Sequence, residues 1–352
     1  MHHGKTGRGI RLLAALTVGL AVVSSSAGAA WAADEAAFFK GKSGKFITMG
    51  SPGGGYDVHM RTLIPYLEKK LGAKFIPVNE TGAGGLISMN RTINAAPDGT
   101  TILLTGGEGV VTAQLYGLPG VRYDARKLVY LARVSGEAKV MLMGVKSPFK
   151  TLADMLKGSR PVIWAASGKT DGNSDFAAIV GHALGIKTQI IPGYKGSGGM
   201  NLAIENGEVD GRVVSEEAAA LFVRGGKMHV VATLARERSE QFPNAPTVFE
   251  AVKLNADQAR WVDWRAGVAA LGRLLVTTPG TPTERVAFLR AALKDVLNDP
   301  AFVADVKKRK LAIGYASGEE AEKRVAAAMN TLDAKQIAEV KDVALNRYYT
   351  KR

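Results

Sequence analysis

The segment Lys45–Asp57 reads KFITMGSPGGGYD, and its pattern recurs along much of the chain. Lys45–Gly50 is a short apolar run typical of a strand, and the glycine-rich Ser51–Gly55 indicates a turn. Asp57 is expected to cap the helix that follows, and Pro65 is expected to kink or shorten it. The apolar positions of this helix recur at helical spacing, namely Met60, Leu63, Ile64, Leu67 and Leu71.

Further strands are predicted where β-branched runs recur, with helical stretches between most of them. They cover Lys74–Val78, Thr101–Leu104, Val129–Val134, Val140–Val145, Val162–Ala165, Gln189–Ile191, Arg212–Val214 and Met228–Leu234. Strands that alternate with helices predict an α/β protein with parallel sheets covered on both faces. The length of 352 residues suffices for two such lobes. The C-terminal quarter is expected to be helical, because Thr281–Glu284 and Ser317–Glu320 match the capping box S/T-x-x-E.

Glycine-rich loops follow five of the predicted strands, at residues 51–57, 79–85, 105–109, 166–174 and 193–199. A single loop of this kind is usually only a tight turn. Ligands of open α/β sheets, however, bind where strands end in such loops. Glycine lets the backbone approach a ligand closely, and the free N–H groups at a helix N-terminus favour an anion. The loops together predict a cleft that binds an oxyanion through backbone amides, without a dedicated arginine.

The first 32 residues predict a secretory signal peptide, with Lys5, Arg8 and Arg11 before the apolar run Leu12–Val23 and an A-x-A site at residues 30–32. The apolar run is shorter than the ~20 residues of a membrane-spanning helix, which disfavours an uncleaved anchor. The chain has no cysteine, which excludes disulfides, a thiolate nucleophile and Cys-ligated zinc. An exported chain without cysteine fits the bacterial periplasm, and we predict that location.

The formal net charge of +14 favours an anionic ligand or an anionic membrane surface. The basic residues are interleaved with acidic ones, and no nucleic-acid-binding module is evident, so no nucleic-acid partner is predicted.

Motifs for nucleotide binding and for catalysis are missing from the sequence. The glycine loops fail the P-loop and G-x-G-x-x-G patterns, and there is no G-x-S-x-G. His59, His182 and His229 lack a second ligand at metal spacing, so we interpret them as structural. The adjacent acids Glu216–Glu217 and Glu319–Glu320 are interpreted as solvated helix surface. The sequence thus predicts neither an enzyme nor a metal or cofactor site.

Short motifs follow one another in a fixed order from Pro52–Asp57 (PGGGYD) to Thr278–Pro282 (TPGTP). Between them come NETGAGG at 79–85, APDG at 96–99, Pro148 with TLAD at 151–154, ASG at 166–168, PGYKG at 192–196, GEVD at 207–210 and FPNAPT at 242–247. The series resembles the substrate-binding proteins of tripartite tricarboxylate transporters, the Bug family. The resemblance implies a type II periplasmic-binding-protein fold, in which two α/β lobes enclose a ligand cleft. Residues 33–137 plus 250–352 would form the first lobe, and residues 138–249 the second.

The resemblance also implies which residues bind the ligand, a small dicarboxylate or aromatic carboxylate. In the first lobe they are Gly53, Gly54, Gly55, Tyr56, Asp57, Gly84 and Gly85; in the second they are Ser167, Gly168, Asn173 and Ser174, with Tyr194 and Lys195 near the mouth. Tyr56 stands where the family usually has Thr or Ser, and Lys169 and Asp171 extend the second-lobe loop. Tyr56 and Trp264 are candidates to stack on an aromatic ligand; the alternative is that Trp261 and Trp264 pack in the core.

The function implied by the resemblance is the capture of this carboxylate by a monomeric protein and its delivery to the membrane subunits of a tripartite transporter. The alternatives are a periplasmic sensor that feeds a signalling partner and an enzyme that reuses the fold.

Overall fold

The structure is a computed structural model that describes Met1 and residues 33–136, 138–169 and 172–350. The predicted signal peptide, apart from Met1, and Asp171 of the second-lobe loop lie outside the described residues. No helix in the described part of the chain is long and apolar enough to cross a membrane.

The strands form two separate sheets. In chain order they are β1 (Ser43–Thr48), β2 (Lys74–Asn79), β3 (Thr101–Gly106), β4 (Val129–Ser135), β5 (Lys139–Gly144), β6 (Val162–Ala165), β7 (Thr188–Ile191), β8 (Gly211–Ser215), β9 (Met228–Thr233), β10 (Arg273–Thr277) and β11 (Ala316–Ser317). The six-stranded sheet has the order β11-β4-β10-β3-β1-β2, and the five-stranded sheet has the order β7-β6-β8-β5-β9. We call the parts of the molecule built on these sheets the first lobe and the second lobe.

Both sheets are mixed, so the predicted parallel pairing holds for only part of each sheet. The strands β1, β2 and β3 are parallel, but β10 pairs antiparallel with both β3 and β4. In the second lobe β6 is parallel to β7 and β8, whereas β5 is antiparallel to β8 and β9. The antiparallel strand β5 is the first strand after the chain passes from the first lobe to the second, and β10 is the first strand after it returns to the first lobe.

Helices occupy most of the connections. They are α1 (residues 33–39), α2 (Gly55–Leu71), α3 (Leu86–Ile93), α4 (Gly107–Leu115), α5 (Leu152–Lys157), α6 (Gly172–Leu184), α7 (Gly196–Asn206), α8 (Glu216–Phe222), α9 (Val248–Ala251), α10 (Ala256–Ala269), α11 (Thr283–Leu297), α12 (Pro300–Lys308), α13 (Gly318–Asn330) and α14 (Ala334–Asp342). A π-helical turn, Val343–Arg347, follows α14.

The helix α2 differs in two ways from the sequence-based expectation. Its N-cap is Gly54 rather than Asp57, which lies in the first turn. The helix also continues through Pro65, whose ring is exposed to solvent. The buried stripe from Met60 to Leu71 keeps the helix packed on the first sheet on both sides of this proline. Tertiary packing therefore outweighs the backbone hydrogen bond that proline cannot make.

One of the two predicted capping boxes forms its side-chain cap. Ser317 accepts the backbone N–H of Glu320 at 3.2 Å and caps α13. At α11 the prediction was wrong, because the N-cap is Pro282 and the hydroxyl of Thr281 donates to the carbonyl of Thr278 at 2.7 Å.

The end of the chain returns to the second lobe. The backbone N–H of Ile190 donates to the carbonyl of Tyr348 at 2.8 Å, and that of Thr350 donates to the carbonyl of Ile190 at 3.1 Å. Residues 348–350 therefore lie against β7, the edge strand of the second sheet. The exact lobe boundaries given in the sequence analysis stay a prediction.

Candidate functional site

The glycine loops of the first lobe meet at one edge of its sheet. Because β1, β2 and β3 are parallel, their carboxyl ends lie together. Met49 joins the loops: its Sδ accepts the backbone N–H of Gly106 at 3.3 Å, and a methyl group on Gly85 would lie 3.0 Å from the same sulfur. A methyl group on Gly109 would approach the carbonyl of Gly84 within 3.3 Å. The loops of the first lobe therefore contact one another.

Asp57 fixes the shape of the first loop. Its buried carboxylate accepts the N–H of Gly53 at 2.8 Å, the amide of Asn79 at 2.9 Å and Nε of Arg61 at 2.8 Å. Burial alone would raise the pKa of Asp57, but these three donors lower the pKa below its usual value of 3.8. The carboxylate is therefore ionised at neutral pH, and it positions the backbone of Gly53.

A cleft of about 740 Å³ separates this loop from the second lobe. Gly53 and Gly55 line one wall, and residues of α8 line the opposite wall. The segment that follows α12 closes a third side. Basic side chains dominate the lining, namely Arg224, Arg273, Lys307, Arg309 and Lys310, against the single acid Glu217. The cleft therefore offers an anion a positive field between low-dielectric walls.

Arg273 lies at the inner end of the cleft and begins β10, with only 7% of its side chain exposed. Its Nη1 lies 2.6 Å from Nδ1 of His59, and its guanidinium lies 5.0 Å from the ring centre of Tyr56. A methyl group on Gly55 would lie 3.3 Å from Nη2. The guanidinium is therefore next to the amides that the sequence analysis selected for anion binding. The expectation of a site without an arginine does not describe this cleft.

His59 holds the guanidinium of Arg273 in position through a hydrogen bond. Arginine can only donate, so Nδ1 of His59 must accept, and the ring proton is on Nε2. Nε2 then donates to the carbonyl of Ala312 at 2.9 Å. The interpretation of His59 as a structural histidine agrees with these contacts.

Glu217 crosses the cleft from α8 to the first lobe. Its Oε2 lies 3.4 Å from Nη2 of Arg273, and its Oε1 accepts the backbone N–H of Ala312. The side chain is only 15% exposed. The interpretation of Glu216–Glu217 as solvated surface was therefore wrong for Glu217. Neighbouring Glu216 turns away and accepts the hydroxyl of Ser239 within the second lobe.

A second charged cluster joins the two lobes. Nη2 of Arg265, a buried residue of α10, donates to Glu108 at the start of α4 and, at 2.6 Å, to Asp175 in α6. Tyr116 donates to the other oxygen of Asp175 at 2.8 Å, and Nζ of Lys139 lies 3.4 Å from Glu108.

The two carboxylates of this cluster have pKa values shifted in opposite directions. Burial raises the pKa of Asp175 to about 6, although the charge of Arg265 opposes this shift. Burial also disfavours ionised Glu108, but the charges of Arg265 and Lys139 lower the pKa of Glu108 to about 2.

The predicted second-lobe residues lie around the start of α6 and α7. Ser174 is buried, and its hydroxyl lies 2.9 Å from that of Tyr349 and 3.2 Å from the carbonyl of Gly168. Tyr194 packs on the core of the second lobe, and Lys195 is the exposed N-cap of α7. A methyl group on Gly172, the first residue of α6, would collide with Glu108.

The predicted residues are therefore brought together only in part. Gly53 and Gly55 line the large cleft, whereas Gly84 lines a separate pocket of about 180 Å³ beside Gly109. The described lining of the large cleft includes none of the predicted second-lobe residues, which are Ser167, Gly168, Asn173, Ser174, Tyr194 and Lys195.

The two tryptophans follow the packing alternative. Trp261 and Trp264 are 6% and 5% exposed, and both belong to the hydrophobic core. Nε1 of Trp264 donates to the carbonyl of Ala328 at 3.1 Å, and Trp261 lies edge-on to His182. Neither ring faces the cleft described above. Lys169 lies with its Nζ 5.7 Å from the ring centre of Tyr349.

Comparison with known proteins identifies the family. The family described as the tripartite tricarboxylate transporter family receptor, TctC, matches residues 60–340. The chain belongs to this family. Members of the TctC family are solute-binding receptors and not enzymes, which confirms the interpretation of the sequence.

Individual relatives agree with this assignment. The chain is 30% identical to BugT of Bordetella pertussis over 207 residues, which cover 56% of this chain and 62% of BugT. The match thus spans slightly less than two thirds of BugT.

Solved structures show the same two-lobe fold. A TctC solute-binding protein from Polaromonas superposes with a TM-score of 0.67 at 22% identity, over 86% of this chain and 97% of that one. MatC of Rhodopseudomonas palustris with bound malate gives 0.63 at 21% identity, over 86% and 99%. Rpa4515 of R. palustris with adipate gives 0.65 at 18% identity, over 85% and 97%. They confirm the predicted fold class, two α/β lobes of the periplasmic-binding type.

Proposed function

We propose that this TctC receptor is a periplasmic protein that captures a small carboxylate, a dicarboxylate or an aromatic carboxylate, in the cleft between its lobes. In this proposal it delivers the ligand, as a monomer, to the membrane subunits of a tripartite transporter. The predicted signal peptide in the first 32 residues supports the periplasmic location.

The observation that carries the proposal is the position of Arg273 beside the first glycine loop. Its guanidinium lies within reach of Gly55, and four further basic residues surround the same cleft. The N–H of Gly53 already donates to Asp57, and that of Gly54 donates to the carbonyl of Ser51 at 2.9 Å. The loop therefore offers an anion the N-terminus of α2, which begins at Gly55 and whose dipole favours negative charge. An acid group bound here would receive charge-assisted hydrogen bonds from the loop and from the arginine.

The energies suffice for an ordinary receptor affinity. Hydrogen bonds to a charged group contribute about 1.5–3 kcal/mol each. Four or five of them, after the freedom lost on binding, reach the ~8 kcal/mol of a micromolar complex. The malate and adipate of the two R. palustris structures support a carboxylate as the ligand class.

We assign the contacts of the acid group to the predicted first-lobe loop, Gly53 to Asp57, with Arg273 added. Within this loop Asp57 acts by holding the backbone of Gly53 in place, since its carboxylate already accepts three donors. The predicted second-lobe contacts stay a prediction that Ser167→Ala tests.

The proposal is tested by calorimetry of the purified protein against a panel of mono- and dicarboxylates, including aromatic ones. At least one ligand is expected to bind with micromolar or tighter affinity. Arg273→Gln is expected to weaken that ligand at least about tenfold, and Arg273→Lys, which keeps the charge, is expected to weaken it less. Arg126→Gln removes an exposed positive charge elsewhere and is the matched control. Turnover of a substrate without any carboxylate binding would overturn the proposal.

A further inference from the structure

Glu217 is a carboxylate that the second lobe inserts into the first. It belongs to the first turn of α8, and both of its oxygens contact the first lobe. One oxygen accepts a backbone N–H, from Ala312, and the other faces the guanidinium of Arg273. A backbone amide together with an arginine is the combination of donors that proteins use to bind the acid group of a ligand.

The contacts of Glu217 lie inside the proposed ligand cleft. Glu217, Arg273 and Ala312 line the same cavity as Gly53 and Gly55. Gly55 is close enough to the guanidinium that a methyl group there would lie 3.3 Å from Nη2. A ligand acid held by the first glycine loop would therefore lie beside Nη2 of Arg273, the nitrogen that Oε2 of Glu217 also faces at 3.4 Å.

A second acid group on the ligand would compete with Glu217. One guanidinium can serve two carboxylates, as Arg265 does for Glu108 and Asp175, but a third carboxylate there would be repelled by the other two. A dicarboxylate that brings both of its acid groups to Arg273 must therefore displace Glu217 from Arg273 and Ala312. A monocarboxylate leaves the contacts of Glu217 in place.

We propose that Glu217 is a specificity-determining residue: its carboxylate occupies the position of a ligand's second acid group, so the cleft selects ligands with a single carboxylate. This inference rests on the proposed function and narrows its ligand class to monocarboxylates. Glu217 also links the two lobes, as the second acid group of a dicarboxylate would do.

The experiment compares matched ligand pairs that differ by one acid group, namely butyrate and succinate, hexanoate and adipate, and benzoate and terephthalate. Calorimetry gives the dissociation constant of each for the wild type, Glu217→Gln, Glu217→Ala and Glu216→Gln. Glu217→Gln keeps an oxygen for the N–H of Ala312 but removes the charge that faces Arg273. Glu216→Gln makes the same change one residue earlier, where the side chain contacts only the second lobe among the described residues. Thermal unfolding monitored by circular dichroism shows whether each variant is folded.

The wild type is expected to bind the monocarboxylate of at least one pair more tightly than its dicarboxylate. In Glu217→Gln and Glu217→Ala the ratio is expected to shift toward the dicarboxylate by about tenfold or more, since the ligand gains a charge-assisted contact with Arg273. Glu216→Gln is expected to keep the wild-type ratio.

The failures of the two proposals are distinguishable. Binding of a carboxylate with an unchanged ratio in both Glu217 variants overturns the role of Glu217 and leaves the proposed function standing. A uniform loss of affinity for both members of a pair also overturns it, because Glu217 would then only hold the lobes together. Binding of no carboxylate by the wild type or the variants counts against the proposed function itself.

Discussion

The guanidinium of Arg265 forms a buried ion pair with the carboxylate of Asp175, with Nε 3.0 Å and Nη2 2.6 Å from Oδ1. The pair joins α10 to α6, and the guanidinium also reaches the carbonyl of Gly172 at 2.6 Å. The side chain of Arg265 is fully buried. The charges of Arg265, Asp175 and Glu108 are therefore stable inside the protein only because they neutralise one another.

Replacement of Arg265 by Met is expected to reduce the free energy of unfolding by about 3–5 kcal/mol, because Glu108 and Asp175 lose their shared counter-ion inside the protein. Urea denaturation measures this loss. Arg260→Ala, which removes an exposed ion pair with Asp257 from the same helix, is expected to cost no more than about 1 kcal/mol. Equal losses in the two variants would contradict the structural role of Arg265.

The pH dependence of stability is expected to carry the signature of Asp175. The pKa of this carboxyl is 3.8 in the unfolded chain and about 6 in the folded protein, so the folded state binds more protons between these values. The stability from this group is full below about pH 4 and is lost as the pH rises through 6, by up to about 3 kcal/mol.

Asp175→Asn removes this titration. The difference in unfolding free energy between wild type and variant is therefore expected to shrink from pH 4.5 to pH 7, as measured by urea denaturation at each pH. A difference that stays constant over this range would show that the pKa of Asp175 is not raised in the folded protein.

Gly54→Ala tests the first glycine loop. The new methyl group would lie 3.1 Å from the carbonyl of Ser51, so the loop must shift slightly and its amides move with it. We expect carboxylate affinity to fall about threefold to tenfold, a part of one charge-assisted hydrogen bond. In Gly267→Ala the methyl group meets open space on α10, and affinity is expected to stay the same while helix propensity improves. Comparable affinity losses in both variants would argue against a role of the loop.

Asp57→Ala is expected to disturb the same loop through its support. The variant loses acceptors for Gly53, Asn79 and Arg61, which should lower the unfolding free energy by about 2–3 kcal/mol and weaken the ligand. Arg61→Ala removes only the half-exposed partner and is expected to cost less than about 1 kcal/mol. Unchanged ligand affinity in folded Asp57→Ala would show that the loop keeps its shape without this carboxylate.

Most of the fold could be predicted from local patterns in the sequence. Val162–Ala165 is a strand with the bounds that the sequence predicts, and each glycine loop follows a strand as expected. These features depend on residues close together in the chain, namely β-branched runs and glycines at the points where strands end.

The strand β10 was not predicted because neither its own sequence nor the neighbouring segments indicate a strand. All five of its residues, RLLVT, are buried, so the segment lacks the alternation that distinguishes a strand from a buried helix. It also follows the long helix α10, and the C-terminal quarter was interpreted as helical. With β10 missing, its antiparallel pairing and the position of Arg273 could not be predicted.

The contact between Glu217 and Arg273 could not be predicted from local patterns, because it joins residues that are far apart in the sequence. The two residues are 56 positions apart, and Glu217 and Ala312 are 95 apart. From the sequence, two adjacent glutamates on a helix look equivalent. Only the packing of the lobes sends one to the first lobe and leaves the other on the second.

The return of the chain to β7 gives the molecule a tether. The helix α13 packs on β4 of the first sheet, whereas the π-helical turn after α14 packs on α6 of the second, and Thr350 pairs with Ile190. A movement that separates the two sheets must extend the segment after Asn330 or break the hydrogen bonds of the last residues to the sheet edge. We therefore expect the contact of residues 348–350 with β7 to restrain separation of the two sheets, and a variant that lacks this contact should open more widely.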